Sequence, residues 1–325
     1  MGCELSIYIS VYNSAEFLER AFAALRTFDE SAVEIVFTDD ASTDGSLALL
    51  ENFRAARKNV KILKHETNRG PGAAANTALA EISGTWFQRC DSDDEILADG
   101  VLAALEKGKR TNAKIVFTPF LDRQPDGAES PSVLALQQEA LNPLKLFWRF
   151  KDFGANLCSM LTRTEHLRAC NARFPETRPF VGVDTPFLAE LVAGLKYAEV
   201  ACSEIPSYRY YRRTGSFSAP RLNQQRDFEQ RAHALLNNFH ELERLGENFV
   251  ERALLTPEER DAGLRRRAGS TLRALRKAGM HVEMMREYRK IRGRYGTDPR
   301  LRRQYIKSLP FWLVSPLRRR AKTKT

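Results

Sequence analysis

Short apolar runs alternate with segments of helical periodicity through the N-terminal part of the chain. In each pair, a short run rich in apolar side chains precedes a stretch whose apolar residues recur every three or four positions. Strands that alternate with helices at this pitch predict an α/β fold, a mostly parallel sheet flanked by helices. The predicted strands are residues 5–11, 33–37, 60–63 and 86–88, and the predicted helices are 15–25, 46–53 and 73–82.

The pattern changes near residue 221, beyond which apolar residues recur only at helical spacing. Residues 228–242 and 264–278 each carry this spacing, and the second stretch also carries five arginines. A chain of 325 residues is longer than one small core requires. We therefore predict a catalytic domain at 1–220 and a helical C-terminal region at 221–325.

Composition places the chain among folded proteins of the cytosol. Hydrophobic residues make up 43% of the chain and charged residues 28%, values near globular averages that suggest neither a disordered nor an integral membrane protein. The five cysteines are scattered and form no CxxC pair, which argues against a disulfide framework and against a zinc site. The N-terminus has no basic region followed by an apolar core, so we expect no secretory signal.

The net charge of +10 is concentrated at the C-terminus. Residues 286–325 contain fourteen Lys or Arg against Glu287 and Asp298, a local +12 that leaves −2 for the rest of the chain. Within this tail, residues 308–317 are apolar and include Phe311 and Trp312, but they number about half of the roughly 20 residues that cross a bilayer. We predict that the tail lies on the anionic inner face of the cell membrane without spanning it.

A polar cluster stands at or shortly after the end of each of the four predicted strands. Ligands bind outside the carboxyl ends of the strands in open sheets of this kind, so these clusters form the candidate site. Asp91, Asp93 and Asp94 would repel one another unless a cation or protons neutralise them. Magnesium and manganese commonly bridge a few carboxylates to substrate phosphates, which favours a diphosphate-linked substrate. The four clusters are residues 10–13, 39–45, 68–72 and 91–94.

Each acidic cluster also has an interpretation that needs no ligand. Residues 91–94 could form a solvated acidic turn that caps the next helix, because Asp and Glu are favoured at helix N-termini. Residues 39–45 could form a turn in which Ser42 or Thr43 caps the helix that begins at Ser46. These alternatives lose weight because the two clusters follow strands of the same predicted sheet.

The strand ends carry four motifs: S-x-Y-N at 10–13, D-D-x-S-x-D-x-S at 39–46, N-x-G-x-x-x-A-x-N at 68–76 and D-x-D at 91–94. This ordered set resembles the GT-A-fold glycosyltransferases of family 2, whose catalytic domain is Rossmann-like. Two later segments also match: residues 181–187 resemble the segment that carries the catalytic base, and residues 210–218 resemble the loop that closes the site. The resemblance covers residues 4 to about 220.

The resemblance implies a role for each matching residue. Asp184 would take the proton of the acceptor hydroxyl as it attacks the anomeric carbon, a single displacement that inverts the configuration. Asp93 or Asp94 would hold Mn²⁺ or Mg²⁺ on the diphosphate, and Arg213 and Ser216 of the closing loop would contact phosphate. The residues expected to bind the donor nucleotide are Ser10, Tyr12, Asp40, Arg69 and Asp91.

Two residues depart from the family pattern. Val183 stands where an acidic residue usually precedes the base, so Asp184 lacks its usual neighbour. Arg213 stands where many members carry a histidine. An arginine can clamp phosphate but cannot coordinate a metal as an imidazole does.

Two other functions compete with the transferase. Residues 70–75 fit the G-x-G-x-x-A loop of an NAD-dependent oxidoreductase, with Asp91 about 20 residues later, but the loop follows the third strand and leaves both acidic clusters unexplained. A non-enzymatic protein could instead bind nucleic acid or lipid through its basic tail. The resemblance therefore implies a metal-dependent inverting glycosyltransferase of bacterial capsule, exopolysaccharide or lipopolysaccharide synthesis. The donor it implies is a uridine diphosphate sugar and the acceptor a saccharide or lipid-linked saccharide. We expect no nucleic acid partner.

Overall fold

The computed structural model describes residues 3–132, 142–148, 156–176, 182–213 and 225–308. These residues form two compact units. The first holds the described residues up to 147 and those from 156 to 213, and the second holds Trp148 and residues 225–308. The predicted domain boundary at residue 220 lies outside the described residues.

The first unit is built on two sheets, and its α/β architecture confirms the predicted fold class. The strands are β1 (Leu5–Val11), β2 (Val33–Asp39), β3 (Val60–Lys64), β4 (Trp86–Arg89), β5 (Glu95–Ile96), β6 (Ile115–Phe117), β7 (Phe120–Arg123), β8 (Glu129–Pro131), β9 (Met160–Arg163), β10 (Val200–Cys202) and β11 (Tyr208–Tyr211). The helices are α1 (Ala15–Leu25), α2 (Ser46–Ala55), α3 (Pro71–Glu81), α4 (Ala98–Thr111), α5 (Pro143–Trp148), α6 (Thr164–Cys170) and α7 (Asp184–Val192).

The large sheet has seven strands in the order β10-β6-β9-β4-β1-β2-β3. All neighbours are parallel except β9, which runs antiparallel to β4 and β6. The interior strands β1 and β2 are buried along almost their whole length, as expected for strands that are covered on both faces. Their register pairs Val11 with Asp39, so the polar clusters that follow the two strands begin at the same level.

A second, four-stranded sheet has the order β5-β11-β7-β8. Its strands are two to four residues long, so the hydrophobic pattern of the sequence did not predict them. Strand β5 follows the acidic turn at residues 91–94, and β11 leads directly into Arg212 and Arg213. This sheet therefore brings the start of the closing loop beside the acidic turn.

Aromatic packing fixes α1 and α2 against the large sheet. Phe22 and Phe53 stack with ring centroids 4.3 Å apart, and the edge of Phe37 meets both rings at about 6 Å. All three side chains are buried. This cluster holds the helices that follow β1 and β2, and with them the loops that carry the first two motifs.

The second unit is helical, and its core contains Trp148. Phe249 meets the Trp148 ring edge-on at 5.7 Å, and the indole Nε1 donates a hydrogen bond to the Arg260 carbonyl at 3.1 Å. Within the described residues, no helix is both long enough and apolar enough to cross a bilayer. The helices are α8 (Gln225–Glu251), α9 (Pro257–Lys277), α10 (His281–Tyr295) and α11 (Pro299–Ser308).

Candidate active site

A cavity of about 670 Å³ opens at the carboxyl ends of β1, β2 and β4. Its position is the one that open parallel sheets use for ligands, and its size suits a small-molecule substrate. The structure places seven of the predicted site residues on its wall: Ser10, Tyr12, Asp40, Asp91, Asp93, Asp184 and Arg213. Ser216 lies outside the described residues.

The first two motif loops are joined by hydrogen bonds. Ser42 Oγ accepts from the backbone N–H of Asn13 at 3.0 Å, and Asn13 Oδ1 accepts from the N–H of Thr43 at 2.8 Å. Beside this junction, the Tyr12 side chain is half exposed. The Ser10 hydroxyl is buried and has no hydrogen-bond partner among the described residues, although it lines the cavity. A buried polar atom without a partner at a cavity wall is a candidate ligand contact.

Asp40 organises the loop between β3 and α3. Its carboxylate is buried and accepts from the N–H groups of Arg69 at 2.9 Å and Gly70 at 2.7 Å. His65 Nδ1 lies 2.6 Å from Asp40 Oδ1, and His65 Nε2 lies 2.9 Å from the Thr77 hydroxyl. His65 was not among the predicted site residues, since its sequence neighbours carry no motif.

The Arg69 side chain does not line the cavity. The side chain forms an ion pair with Glu176 at 3.1 Å and is about half exposed, whereas the backbone N–H of Arg69 donates a hydrogen bond to Asp40. The glycines of the same loop have structural explanations. Gly70 has a φ of 92°, which side-chain-bearing residues rarely adopt, and a Cβ on Gly72 would lie 2.2 Å from the Pro175 carbonyl oxygen. These glycines therefore need no dinucleotide to explain them.

The three carboxylates of the acidic turn have different surroundings. Asp91 Oδ1 accepts from Arg89, and Asp93 Oδ2 accepts from Arg213 Nε at 3.0 Å and Nη2 at 2.5 Å. Asp94 is buried instead, where its two oxygens accept from the Tyr208 hydroxyl and the Tyr211 N–H. Burial, together with the charges of Asp91 and Asp93, raises the pKa of Asp94 to about 8. The structure thus brings Asp93 to the cavity and turns Asp94 away from it.

Asp93 could bind a divalent cation only together with other ligands, such as phosphate oxygens of the substrate. Within the described ranges, no three carboxylate, histidine or cysteine side chains converge on one point. Asp93 Oδ1 accepts no hydrogen bond from a described residue, because both bonds from Arg213 go to Oδ2. Magnesium is commonly bound by one or two carboxylates together with substrate phosphates, and this donor set fits that mode.

Arg89 links the acidic turn to Asp184. This arginine ends β4, was not a predicted site residue, and donates from Nη1 to Asp184 Oδ1 at 2.7 Å. Its Nε donates to Asp91 Oδ1 at 2.9 Å. Asp184 begins α7, and its side chain is 52% exposed and lines the cavity. A charged residue at the end of the buried strand β4 was the available sequence signal for Arg89.

Arg213 lines the cavity beside Asp93. Besides its two bonds to Asp93, its guanidinium lies 4.0 Å from the centroid of the Phe17 ring. The neighbouring Arg212 forms a bidentate ion pair with Asp122, with N···O distances of 2.7 to 2.9 Å. Both arginines line the cavity and bring positive charge close to the acidic turn.

Comparison with known protein sequences identifies the family. The family model described as Glycosyl transferase family 2 matches residues 6–168, half of the chain. The succinoglycan biosynthesis protein ExoO of Rhizobium meliloti is 30% identical over 112 residues, 34% of this chain and 32% of that protein. A poly(ribitol-phosphate) beta-glucosyltransferase of Bacillus spizizenii is 32% identical over 117 residues, 35% of this chain and 18% of that protein. The matches thus span about a third or less of these relatives.

Solved structures share the fold. S. aureus TarS 1-349 in complex with UDP-GlcNAc superposes with a TM-score of 0.55 at 20% identity, covering 83% of this chain and 81% of that one. The mannosyltransferase PcManGT from Pyrobaculum calidifontis, in complex with GDP-Man and Mn²⁺, gives a TM-score of 0.51 at 16% identity and covers 94% and 86%. At these identities the likeness bears on the fold alone. Because the family model covers half of the chain, the protein belongs to glycosyl transferase family 2 and is an enzyme of the glycosyltransferase class.

Proposed function

We propose that this enzyme transfers a sugar from a uridine diphosphate sugar to a hydroxyl of a saccharide acceptor, with inversion at the anomeric carbon. The observation that carries the proposal is a single cavity whose wall holds Asp91, Asp93 and the half-exposed Asp184. Two carboxylates face the donor side, and the third offers an oxygen for a proton. This arrangement suits a one-step displacement by an acceptor hydroxyl.

The donor nucleotide would lie at the ends of β1 and β2. The half-exposed Tyr12 offers a ring face to the base, and the unpartnered Ser10 hydroxyl offers a hydrogen bond. Asp40 would shape this pocket, since its carboxylate sets the backbone of the loop at Arg69 and Gly70. Asp91 would contact the ribose. The uridine expectation is supported by TarS, which was crystallised with UDP-GlcNAc.

Asp184 would act as the general base. The acceptor oxygen forms a bond to the anomeric carbon while the bond from that carbon to the diphosphate oxygen breaks, and its electron pair leaves with the nucleoside diphosphate. The proton of the acceptor hydroxyl passes to Asp184 Oδ2, because Oδ1 is engaged by Arg89. Attack from the face opposite the leaving group inverts the anomeric configuration.

The diphosphate would lie between the acidic turn and the closing loop. Arg213 and Arg212 line this part of the cavity and would offer guanidinium donors to phosphate oxygens. Asp93 would hold Mn²⁺ or Mg²⁺ jointly with the diphosphate. When bound, the cation neutralises the negative charge that develops on the leaving group. Mn²⁺ accompanies GDP-Man in the mannosyltransferase structure, which supports this expectation.

The acceptor would belong to a bacterial surface glycan, free or lipid-linked. Bacterial relatives carry names for succinoglycan biosynthesis and for glucosyl transfer to poly(ribitol-phosphate), which supports this expectation. An oxidoreductase is disfavoured because Gly70 and Gly72 are explained by backbone conformation and packing.

A ligand screen tests the proposed donor. Purified protein would be melted with UDP, GDP, CDP, TDP or NAD, each with and without Mn²⁺ or Mg²⁺. A ligand that binds only the folded state raises the melting temperature. At a ligand concentration of one hundred times the Kd, the free energy of unfolding increases by about 2.7 kcal/mol. We expect a metal-dependent rise with UDP and none with NAD. The proposal would be contradicted if only NAD raised the melting temperature, or if none of the nucleotides raised it.

We further infer that the C-terminal helices and tail hold the enzyme on the inner face of the cell membrane. Between residues 262 and 307, every exposed charged side chain is Lys or Arg, whereas Glu283, Glu287 and Asp298 are buried or half-buried. Within this stretch no acid is exposed, whereas Glu247, Glu251 and Glu258 are exposed on the part of the helical unit that precedes it. Such a surface suits anionic lipid headgroups. The amphipathic segment at 308–317, nearly all of it outside the described residues, would add apolar contact with the lipid.

A further inference from the structure

Arg89 is a largely buried cation that contacts both Asp91 and the proposed base Asp184. It ends β4, which lies between β1 and β9 inside the large sheet, and only 11% of its side chain is exposed. Burying a guanidinium is costly unless carboxylates pair with it. Burial alone would lower the pKa of Arg89, but Asp91 and Asp184 raise that pKa well above its ordinary value. The residue is therefore a permanent cation held between two acids.

The guanidinium divides its donors between the two sides of the site. Nε and Nη2 reach Asp91 Oδ1 at 2.9 and 2.8 Å, and Nη1 reaches Asp184 Oδ1 at 2.7 Å. One rigid planar group thus fixes one oxygen of a donor-side carboxylate and one oxygen of the base. Among the described residues, Arg89 is the one cation bonded to Asp184, and the second oxygen of that carboxylate stays available to an acceptor.

An aromatic pair places Arg89 against the same wall that carries Asp184. The guanidinium lies 5.7 Å from the Phe174 ring, which stacks on Phe187 at 3.9 Å with an interplanar angle of 7°. Phe187 lies one turn after Asp184 on α7. Asn76 holds Phe174 through both the N–H and the carbonyl of its backbone. These contacts therefore fix the Arg89 guanidinium relative to the start of α7.

We propose that Arg89 is a positioning residue that orients the Asp184 carboxylate and ties its orientation to Asp91 on the donor side. The proposal rests on the proposed function, because Asp184 must be the base. A lysine could not replace Arg89, since its single nitrogen lacks the planar fork that reaches two carboxylates at once. Misplacing a catalytic group by about 1 Å can cost about 10²-fold in rate, which sets the expected size of the effect.

A double-mutant cycle tests whether Arg89 acts through Asp184. The wild-type chain, Arg89→Gln, Asp184→Asn and the double variant would be compared by UDP release from UDP-glucose or UDP-N-acetylglucosamine, with water as acceptor. Arg89→Gln should lower kcat by about 10²-fold, and Asp184→Asn by about 10²- to 10⁴-fold. The double variant should match Asp184→Asn within about twofold, because a residue that acts through Asp184 loses its effect once the base is gone.

Arg209→Gln is the matched control. Arg209 is also partly buried between two carboxylates, Glu95 and Glu129, but it does not line the cavity. Its replacement should change kcat by no more than about twofold, in the wild-type and the Asp184→Asn background alike. Melting temperatures identify a variant that fails to fold. If Arg89→Gln fails, Arg89→Lys takes its place in the cycle and should still lose at least about tenfold in kcat.

The outcomes separate the two proposals. Two results would overturn the positioning role while the base assignment stands. One is a wild-type kcat for Arg89→Gln, and the other is a fold-decrease in kcat of the double variant equal to the product of the two single fold-decreases. A wild-type rate for Asp184→Asn would overturn the base assignment itself. Losses that do not multiply, with Arg209→Gln unaffected, support the positioning role.

Discussion

At the scale of single residues, Asp40 shows how a buried carboxylate can shape a loop. Its two oxygens accept from two consecutive N–H groups, those of Arg69 and Gly70, and one of them also meets His65. The negative charge is therefore compensated by fixed dipoles. We expect Asp40 to act on the nucleotide pocket largely through the backbone that it holds.

Replacing Asp40 by asparagine should weaken this loop. The amide NH₂ would face an N–H group where an oxygen now accepts, leaving a buried donor unpaired at a cost of about 1 to 3 kcal/mol. Urea denaturation should show that decrease in the free energy of unfolding, and calorimetry should show weaker UDP binding. Asp126→Asn, in an exposed turn where Asp126 accepts from the Ala128 N–H, is the control and should change little. Equal effects in both variants would contradict this account of Asp40.

At the scale of elements, the sequence predicted the parts that repeat and missed the parts that are short. The alternation of apolar runs with segments of helical periodicity predicted β1 to β4 and the helices between them. Strand β5 contains two residues, too few for a pattern, and β11, Tyr-Arg-Tyr-Tyr, has no predicted helix beside it. The second sheet, which brings Arg213 to Asp93, therefore emerged only from the structure.

The site was predictable where its residues follow strands and unpredictable where distant segments meet. Asp91 and Asp93 stand in a motif directly after a strand, but the pair of Arg89 and Asp184 joins residues 95 positions apart. No local pattern encodes such a contact. The same limit applies to His65, whose partners Asp40 and Thr77 lie on two other segments.

The packing of α6 against α7 should make stability depend on pH. His166 on α6 is buried, and its Nε2 lies 2.8 Å from the Leu191 carbonyl on α7. Burial lowers the pKa of His166 below 6.5, so the folded state keeps the ring neutral at a pH where the unfolded chain binds a proton. Stability should therefore fall as the pH drops below about 6.5.

His166→Gln tests this pH dependence. Glutamine cannot take up a proton in this range, yet its amide can still donate to the Leu191 carbonyl. Chemical denaturation at pH 7.5 and pH 5 should show a larger loss of stability for the wild-type chain than for the variant. An equal loss in both proteins would show that His166 does not carry the effect.

At the scale of the whole molecule, one region carries chemistry and another carries charge. The cavity with its carboxylates lies in the first unit, whereas the exposed cations between residues 262 and 307 belong to the helical unit. A stretch whose exposed charges are all positive repels itself, and a partner of opposite charge would relieve that repulsion. We expect substitutions in either region to leave the function of the other intact.

Charge reversal on α10 tests the membrane surface. Arg286→Glu with Arg289→Glu should reduce sedimentation with vesicles that contain phosphatidylglycerol, each lost cation weakening binding by about 1 kcal/mol, while UDP release stays unchanged. Lys58→Glu with Arg110→Glu changes the net charge equally at exposed positions of the first unit and is the control. Removal of residues 309–325 should reduce vesicle binding further. Equal binding by all variants would contradict the proposed surface.

The central claim is that Asp184 takes the proton of the attacking hydroxyl. The most direct measurement compares wild type and Asp184→Asn for UDP release from UDP-glucose or UDP-N-acetylglucosamine and for UDP affinity in the same buffer. Asparagine keeps the shape of the side chain but cannot accept the proton, so kcat should fall by about 10²- to 10⁴-fold while the Kd for UDP changes by less than about threefold. A variant that released UDP at the wild-type rate would contradict the account.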